Sequence, residues 1–354
     1  MENERMWSLD TSTKVKGLTW WWWWWLFFID NPSNPARPRQ LMILWSTKNC
    51  KKVRIDDYDW KRKHDAQKEG NNLKFNGMAA AWYFDGKQMH DPLLLDEHEL
   101  KAEWSDNAGK LHTDGATRLF EGNDKEYKVK IEHNGQNFDF KLLPWTNFQS
   151  EPHYSGRKYV GKLGYDILKV RGVKLDGKIN GEHVTGTAYF QKVMVNAPAV
   201  PWYWGMFHFE DGSYFDYFMP HVGLQCLRRS DKPKSAWDRG HVFMARNAQF
   251  FHEPTGKHYT FKKAGIKKLV ENGLPIFQLT AKENGVSIKA NMAAYSRACW
   301  RFEQKALGLK TKLFYNEYPT EMLEFELKDK ERTITKKELG QSKGNTEHAW
   351  GTLA

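Results

Sequence analysis

The stretch Trp20-Trp21-Trp22-Trp23-Trp24-Trp25-Leu26-Phe27-Phe28-Ile29-Asp30 decides how this chain is read. Its apolar run is too short to cross a bilayer, which takes about 20 residues. It reads as a strand. Alternation then places three of the six indoles on each side, so both faces of that strand must be buried. A second aromatic segment follows half a chain later: Pro201-Trp202-Tyr203-Trp204-Gly205-Met206-Phe207-His208-Phe209-Glu210-Asp211-Gly212. Setting Asp30 on Asp211 puts Trp21-Trp22-Trp23 on Trp202-Tyr203-Trp204 and Phe28 on Phe209. The repetition predicts two similar domains in tandem, 1–185 and 186–354, with the junction between positions 178 and 201.

Outward from these segments the pattern stays β. Turn pairs recur at Asp85-Gly86, Asp114-Gly115, Asn134-Gly135, Asp176-Gly177, Asn180-Gly181, Asp211-Gly212, Asn272-Gly273 and Asn284-Gly285. Such pairs suit tight hairpins because they accept positive φ. Between them lie alternating runs such as Tyr127-Lys-Val-Lys-Ile131, Val286-Ser-Ile-Lys-Ala290 and Met322-Leu-Glu-Phe-Glu-Leu327, the period of half-buried strands. Many short strands with regular turns predict an all-β protein built from antiparallel barrels. Helical signals are few: a short helix over 92–104, a weaker one over 264–272 and one turn at 335–339.

Composition bounds the function. The 354 residues are 40% hydrophobic and 27% charged, enough for a real core. Aromatic residues reach 15%, with 17 tryptophans, which suits either densely filled cores or an aromatic-lined cavity for a large apolar ligand. The net charge of +11 admits peripheral contact with an anionic membrane surface. The lysines are scattered, however, and no nucleic-acid signature accompanies them, so no nucleic acid is expected. Cys50, Cys226 and Cys299 are odd in number and far apart, which fits a reducing compartment rather than a disulfide framework. The polar, acidic start lacks the order of a secretion signal. A cytoplasmic monomer is expected. No dinucleotide, Walker, HExxH or GxSxG motif occurs, and His241, His252 and His258 lack a carboxylate at ligand spacing. No metal and no cofactor is expected.

The second aromatic segment predicts a site. If Asp211-Gly212 is a two-residue turn, His208 faces Phe215, Met206 faces Tyr217, Trp204 faces Met219 and Trp202 faces His221. One face of the hairpin then carries Trp202, Trp204, Met206, His208, Phe215, Tyr217, Met219 and His221, large rings with a few polar tips. Glu151, His153, Tyr154, Asp216 and Glu347 are further sources of protons or hydrogen bonds.

The segment Val184-Thr-Gly-Thr-Ala-Tyr-Phe190, the Trp202-Tyr-Trp204 strand, Phe209-Glu-Asp-Gly212 and the closing Glu347-His-Ala-Trp-Gly351 resemble the lipocalin-like carotenoid 1,2-hydratase (hydroxyneurosporene synthase) and AttH superfamily. Trp21 to Trp23 match its N-terminal aromatic strand. The resemblance implies two tandem calycin (lipocalin-like) antiparallel β-barrels with few short helices, and a ligand site in or between them. It also implies an Asp-His pair after the Gly-x-Ala strand, where Gln191 and Lys192 stand here. A carboxylic acid in an apolar pocket can protonate an alkene. The Gln191 amide cannot.

Three readings follow. The first is binding of a large apolar ligand (isoprenoid, carotenoid or polyene) in an aromatic-lined pocket. The second is a cofactor-free hydratase, cyclase or isomerase acting on such a ligand. The third is a module for polysaccharide or anionic polymer. The residues expected to carry catalysis are His208, Tyr217, His221 and Glu347. Those expected to hold ligand are Trp202, Trp204, Met206, Phe215, Gln191 and Trp23.

Overall fold

The computed structural model describes residues 3–145, 149, 151–234, 240–306 and 309–353. The fold is all-β. Ten antiparallel strands close a first barrel, in the order Gln136–Pro144, Tyr127–His133, Arg118–Gly122, Gly109–His112, Met89–Trp104, Asn72–Phe84, Arg39–Lys48, Thr19–Ile29, Glu182–Asn196 and Leu163–Ile179, the last pairing back on the first. A second sheet runs Lys257–Phe261, Asn247–His252, Tyr214–Val222, Trp202–Phe209, Ser342–Thr352, Leu309–Lys328, Val286–Ala294, Leu274–Glu283 and Gly265–Glu271 around a core of its own. Position 185, the expected end of the first domain, lies in strand Glu182–Asn196, which pairs on both sides within the first sheet. The chain passes to the second sheet between Asn196 and Trp202. One hairpin breaks the sequential division: Lys52–Ile55, folded back on Tyr58–Lys61, pairs with Ala298–Ala306 at Phe302↔Ile55 and Glu303↔Arg54.

The tryptophan strand is buried on both sides. Trp21, Trp23, Trp25, Phe27 and Ile29 fill the first barrel. Trp24, Leu26 and Phe28, with Trp20 and Trp22 half-buried beside them, enter a third cluster that joins the two barrels. Each fully buried aromatic ring removes about 150–250 Å² from water, so one strand welds two cores. The short helix Asn3–Trp7 plugs the first barrel with Met6 and Trp7, and Trp23 Nε1 donates to the Met6 carbonyl at 2.8 Å.

Four of the turn pairs adopt positive φ at both residues: Asn134-Gly135, Asn180-Gly181, Asn272-Gly273 and Asn284-Gly285. Asp176-Gly177 does not turn. It lies within strand Leu163–Ile179, where a Cβ on Gly177 would sit 2.3 Å from the Asp139 carbonyl, so the glycine serves close strand approach. Both longer helical expectations are overturned. Segment 92–104 belongs to strand Met89–Trp104, whose Leu100, Ala102 and Trp104 enter the core at a spacing of two against Asn72–Phe84. Segment 264–272 is strand Gly265–Glu271, turned at Asn272-Gly273 onto Leu274–Glu283. The helical turn at 335–339 is present as Lys336–Leu339. Among the described residues no helix is long and apolar enough to cross a membrane.

The aromatic hairpin differs from expectation by one residue. Phe209 N–H donates to the Ser213 carbonyl at 2.9 Å, and Glu210, Asp211 and Gly212 form a three-residue loop with Gly212 at φ 87°. His208 therefore pairs with Tyr214, Gly205 with Tyr217 and Trp202 with Pro220. A one-residue slip moves every partner side chain to the other face. Phe215, Tyr217, Met219 and His221 thus point into the second barrel, while Trp202, Trp204, Met206 and His208 point toward the first.

Candidate active site between the two barrels

The outer faces of the two aromatic strands meet. Trp24 lies edge-on to Trp204 with ring centres 5.4 Å apart, Tyr189 packs 5.5 Å from Trp204, and Phe28 meets His208 at 5.3 Å. Trp24 and Trp204, like Phe28 and His208, are 180 residues apart, one fewer than the spacing of Asp30 and Asp211. The face-preserving superposition of the two copies is therefore one residue away from the one that matches the aspartates.

Into this seam the second sheet delivers two carboxyl groups. Glu317 and Glu347 are directly opposite on strands Leu309–Lys328 and Ser342–Thr352, and Glu347 is opposite Trp204 on its other side. Neither side chain reaches solvent appreciably (1% and 6% exposed). Tyr315, two residues before Glu317 and on the same face, bridges them: its hydroxyl lies 2.6 Å from Glu317 Oε1 and 2.7 Å from Glu347 Oε1. Trp202 Nε1 donates to Glu347 Oε2 at 2.7 Å. A phenol has one proton. It can donate to only one of two carboxylates, so the second short contact requires a proton on the carboxyl side. The same conclusion follows from electrostatics. Burial and then the charge of Glu347 hold Glu317 well above the usual carboxylate range. Burial pushes Glu347 up to about 7, against the opposing pull of its Tyr315 and Trp202 hydrogen bonds. Burial and the mutual repulsion of the two groups both favour the protonated carboxyl over the carboxylate. The indoles of Trp82 and Trp24 approach Glu317 closely enough to favour its charged form, yet neither closes a hydrogen bond of normal geometry, and Glu317 Oε2 has none.

Of the residues named from sequence, the structure gathers Trp202, Trp204, Met206 and Glu347 at this seam, with Gln191 beside them as acceptor of the Tyr189 hydroxyl at 3.2 Å. His208 lies on the same face, but as a clamp. Its Nε2–H donates to the Arg171 carbonyl at 2.8 Å and its Nδ1 accepts from Thr187 Oγ1 at 2.9 Å, a tautomer assigned from those partners. Burial depresses its pKa to about 3, so the ring is neutral. The rest are elsewhere. Trp23 is in the first barrel, stacked on Phe75, with Lys192 over its ring. Phe215 and Tyr217 are in the second barrel, where Tyr217 shares a hydrogen bond of 3.0 Å with Thr346. His221 is there too, 2.6 Å from Gln225 Oε1 and stacked on Tyr203. Alternation also splits the closing motif: Glu347 and Ala349 face the seam, whereas His348 packs on Tyr203 inside the barrel. Glu317 and Tyr315 went unnamed in the sequence reading. Their signal was Tyr315-Asn-Glu317-Tyr-Pro319, a carboxylate two residues from a tyrosine within an aromatic strand.

The chain matches no protein-family model and no curated protein sequence. Among solved structures it is similar to an AttH-like protein from Nitrosomonas europaea, with TM-score 0.53 and 11% identity over 97% of this chain and 96% of that one. It is also similar to CghA solved with Sch210972, with TM-score 0.51 and 8% identity over 96% and 90%. Kievitone hydratase from Nectria haematococca aligns with TM-score 0.41 and 10% identity over 97% and 93%. What this chain shares with the first two of these is the overall β fold alone.

Proposed function

We propose that the protein is a cofactor-free acid catalyst for a large apolar alkene, an isoprenoid or polyene, bound along the aromatic seam. The observation that carries this reading is the pair of buried carboxyls, Glu317 and Glu347, bridged by the Tyr315 hydroxyl in a surround of Trp24, Trp82, Trp202 and Trp204. A protonated carboxyl in an apolar setting is the donor that an unactivated double bond requires. Transfer of its proton to one alkene carbon leaves a carbocation on the other, which neighbouring indole faces stabilise. Capture by water and loss of a proton to the carboxylate completes hydration. Capture by a second double bond forms the ring bond and moves the cation to a new carbon, whose loss of a proton to the carboxylate completes cyclisation; loss of a different proton without ring closure completes isomerisation. Gln191 stands where the resembled hydratases carry their acid, and in this reading the acid is supplied from the opposite barrel.

The test is turnover of a panel of acyclic isoprenoids in D₂O, with ligand binding followed separately by tryptophan quenching. Deuterium on carbon in the product, lost in Glu347→Gln and Glu317→Gln while quenching persists, is the expected result. Quenching without any exchange, in wild type and variants alike, would replace the catalyst by a carrier. No quenching by any member of the panel would remove both. A polymer-binding face draws no support from the tryptophans at 20–25, whose rings pack in the interior or at the seam.

A further inference from the structure

Beside the seam the second sheet carries an apolar surface with no internal partner among the described residues. Phe218, Val222, Leu224, Leu227, Val242 and Met244 are each between 38% and 69% exposed. They are contiguous. Phe218 and Val222 lie on one face of strand Tyr214–Val222. Val242 is paired directly opposite Val222, and Met244 N–H donates to the Pro220 carbonyl at 2.8 Å. Leu224 and Leu227 belong to the short 3-10 helix that follows the strand. The partner face inside the barrel is filled by Met219 and His221, so these residues do not belong to the core. Among the described residues the flanking exposed charges are mostly basic: Arg229, Lys232, Lys234 and Arg246, against Asp231. The chain as a whole carries +11.

We propose that this surface docks on a lipid bilayer containing anionic headgroups. The contiguous exposed apolar side chains suit insertion at the boundary between headgroups and acyl chains. The basic flank supplies the complementary charge, each residue near an anionic surface strengthening binding by about fivefold. The location adds a reason. Phe218 and Pro220 pair with Trp204 and Trp202, so the docking face and the aromatic seam are two ends of one sheet face. An apolar ligand dissolved in the bilayer would pass from one to the other without crossing water. The docking proposal itself does not depend on the acid reading.

Co-sedimentation with vesicles of phosphatidylcholine and phosphatidylserine, against vesicles of phosphatidylcholine alone, tests it. Wild type should pellet with the mixed vesicles and be released by salt. Leu227→Asp, Val242→Asp and Met244→Asp together should weaken binding about tenfold or more. Arg229→Glu with Arg246→Glu should weaken it on the anionic vesicles. Val160→Asp, at an 80% exposed site on the hairpin between Val160 and Leu163 in the first sheet, should not. Circular dichroism checks that the surface variants fold. Wild type left in the supernatant, binding unchanged in the triple variant, or a dimer that the triple variant dissolves without any vesicle binding would each overturn the proposal. Glu347→Gln should sediment as wild type does, so loss of the acid reading and loss of this one are separate results.

Discussion

Tyr315 has one hydroxyl proton and two carboxyl groups within 2.7 Å of it. Removing that hydroxyl in Tyr315→Phe leaves two buried acids facing each other without a bridge. Their proton should be held more tightly, and turnover should fall about 10²-fold or more with binding retained, the range for loss of positioned proton transfer. Because Glu347 is raised to about 7, the wild-type rate should be flat in acid and fall as pH rises through about 7, a limb absent from any residual activity of Glu347→Gln. Stability has the same sign here: a carboxyl with a raised folded pKa favours the fold at low pH and gives that up as pH rises through its folded value. His208 works in the other direction. Its folded pKa of about 3 is below the ordinary histidine value of 6.5, so its contribution is complete above 6.5 and is lost as pH falls toward 3. Each pH unit in that interval costs about 1.4 kcal/mol. His208→Gln, which can still donate to the Arg171 carbonyl, should flatten the acid limb of a urea-unfolding series. An unchanged acid limb would show that the clamp does not govern acid stability.

The decisive event at the level of the strand is the loop at Glu210, Asp211 and Gly212. An Asp-Gly pair is compatible with a two-residue or a three-residue loop, and nothing local in the sequence distinguishes them. The alternation of large rings was legible, as were the four Asn-Gly turns and both buried faces of the tryptophan strand. What was not legible was which face of Tyr214–Val222 adjoins Trp202, because large apolar side chains stand on both faces, Tyr214 and Phe218 on one and Phe215, Tyr217 and Met219 on the other. Hence Tyr217 and His221 were grouped with Glu347 when the structure sets them inside the barrel. Glu317 was missed for a related reason: its partner is 30 residues away on a strand that only the topology brings alongside. The observed register itself is testable. Tyr217 lies over Gly205, where a Cβ would be 2.5 Å from its ring, and the ring is buried and cannot swing away. Gly205→Val should cost about 1–3 kcal/mol in denaturant midpoint with unchanged slope. Tyr217→Ala should recover part of that loss.

Across the whole molecule the seam is held by polar ties as well as rings. Asp30 pairs with Lys343, Arg37 with Glu321 at 3.0 Å, and the Gln40 amide donates to the Gly344 carbonyl at 2.8 Å and lies 2.9 Å from the Tyr295 hydroxyl. Exposed pairs contribute little singly, about 0–1 kcal/mol. Gln40, by contrast, is fully buried, and Gln40→Leu strands the carbonyl it serves at a cost of about 1–3 kcal/mol. If the barrels form one cooperative body, that variant should lower a single unfolding transition, read by both tryptophan emission and far-ultraviolet circular dichroism. Two separated transitions in wild type would mean that the barrels unfold independently.

The hairpin at 52–61 has a consequence in time rather than in space. It leaves the ribosome early, but its partner strand Ala298–Ala306 follows some 250 residues later, roughly ten to fifty seconds at ordinary synthesis rates. For that interval the nascent chain carries a donated edge with no acceptor. Once the acceptor emerges, the edge meets it at very high local concentration, since both are on the same molecule. Two chains on neighbouring ribosomes could satisfy the same bonds by exchange. Slower translation, or crowded polysomes, should therefore raise the yield of interlocked dimers, and a chain lacking 52–61 should show none.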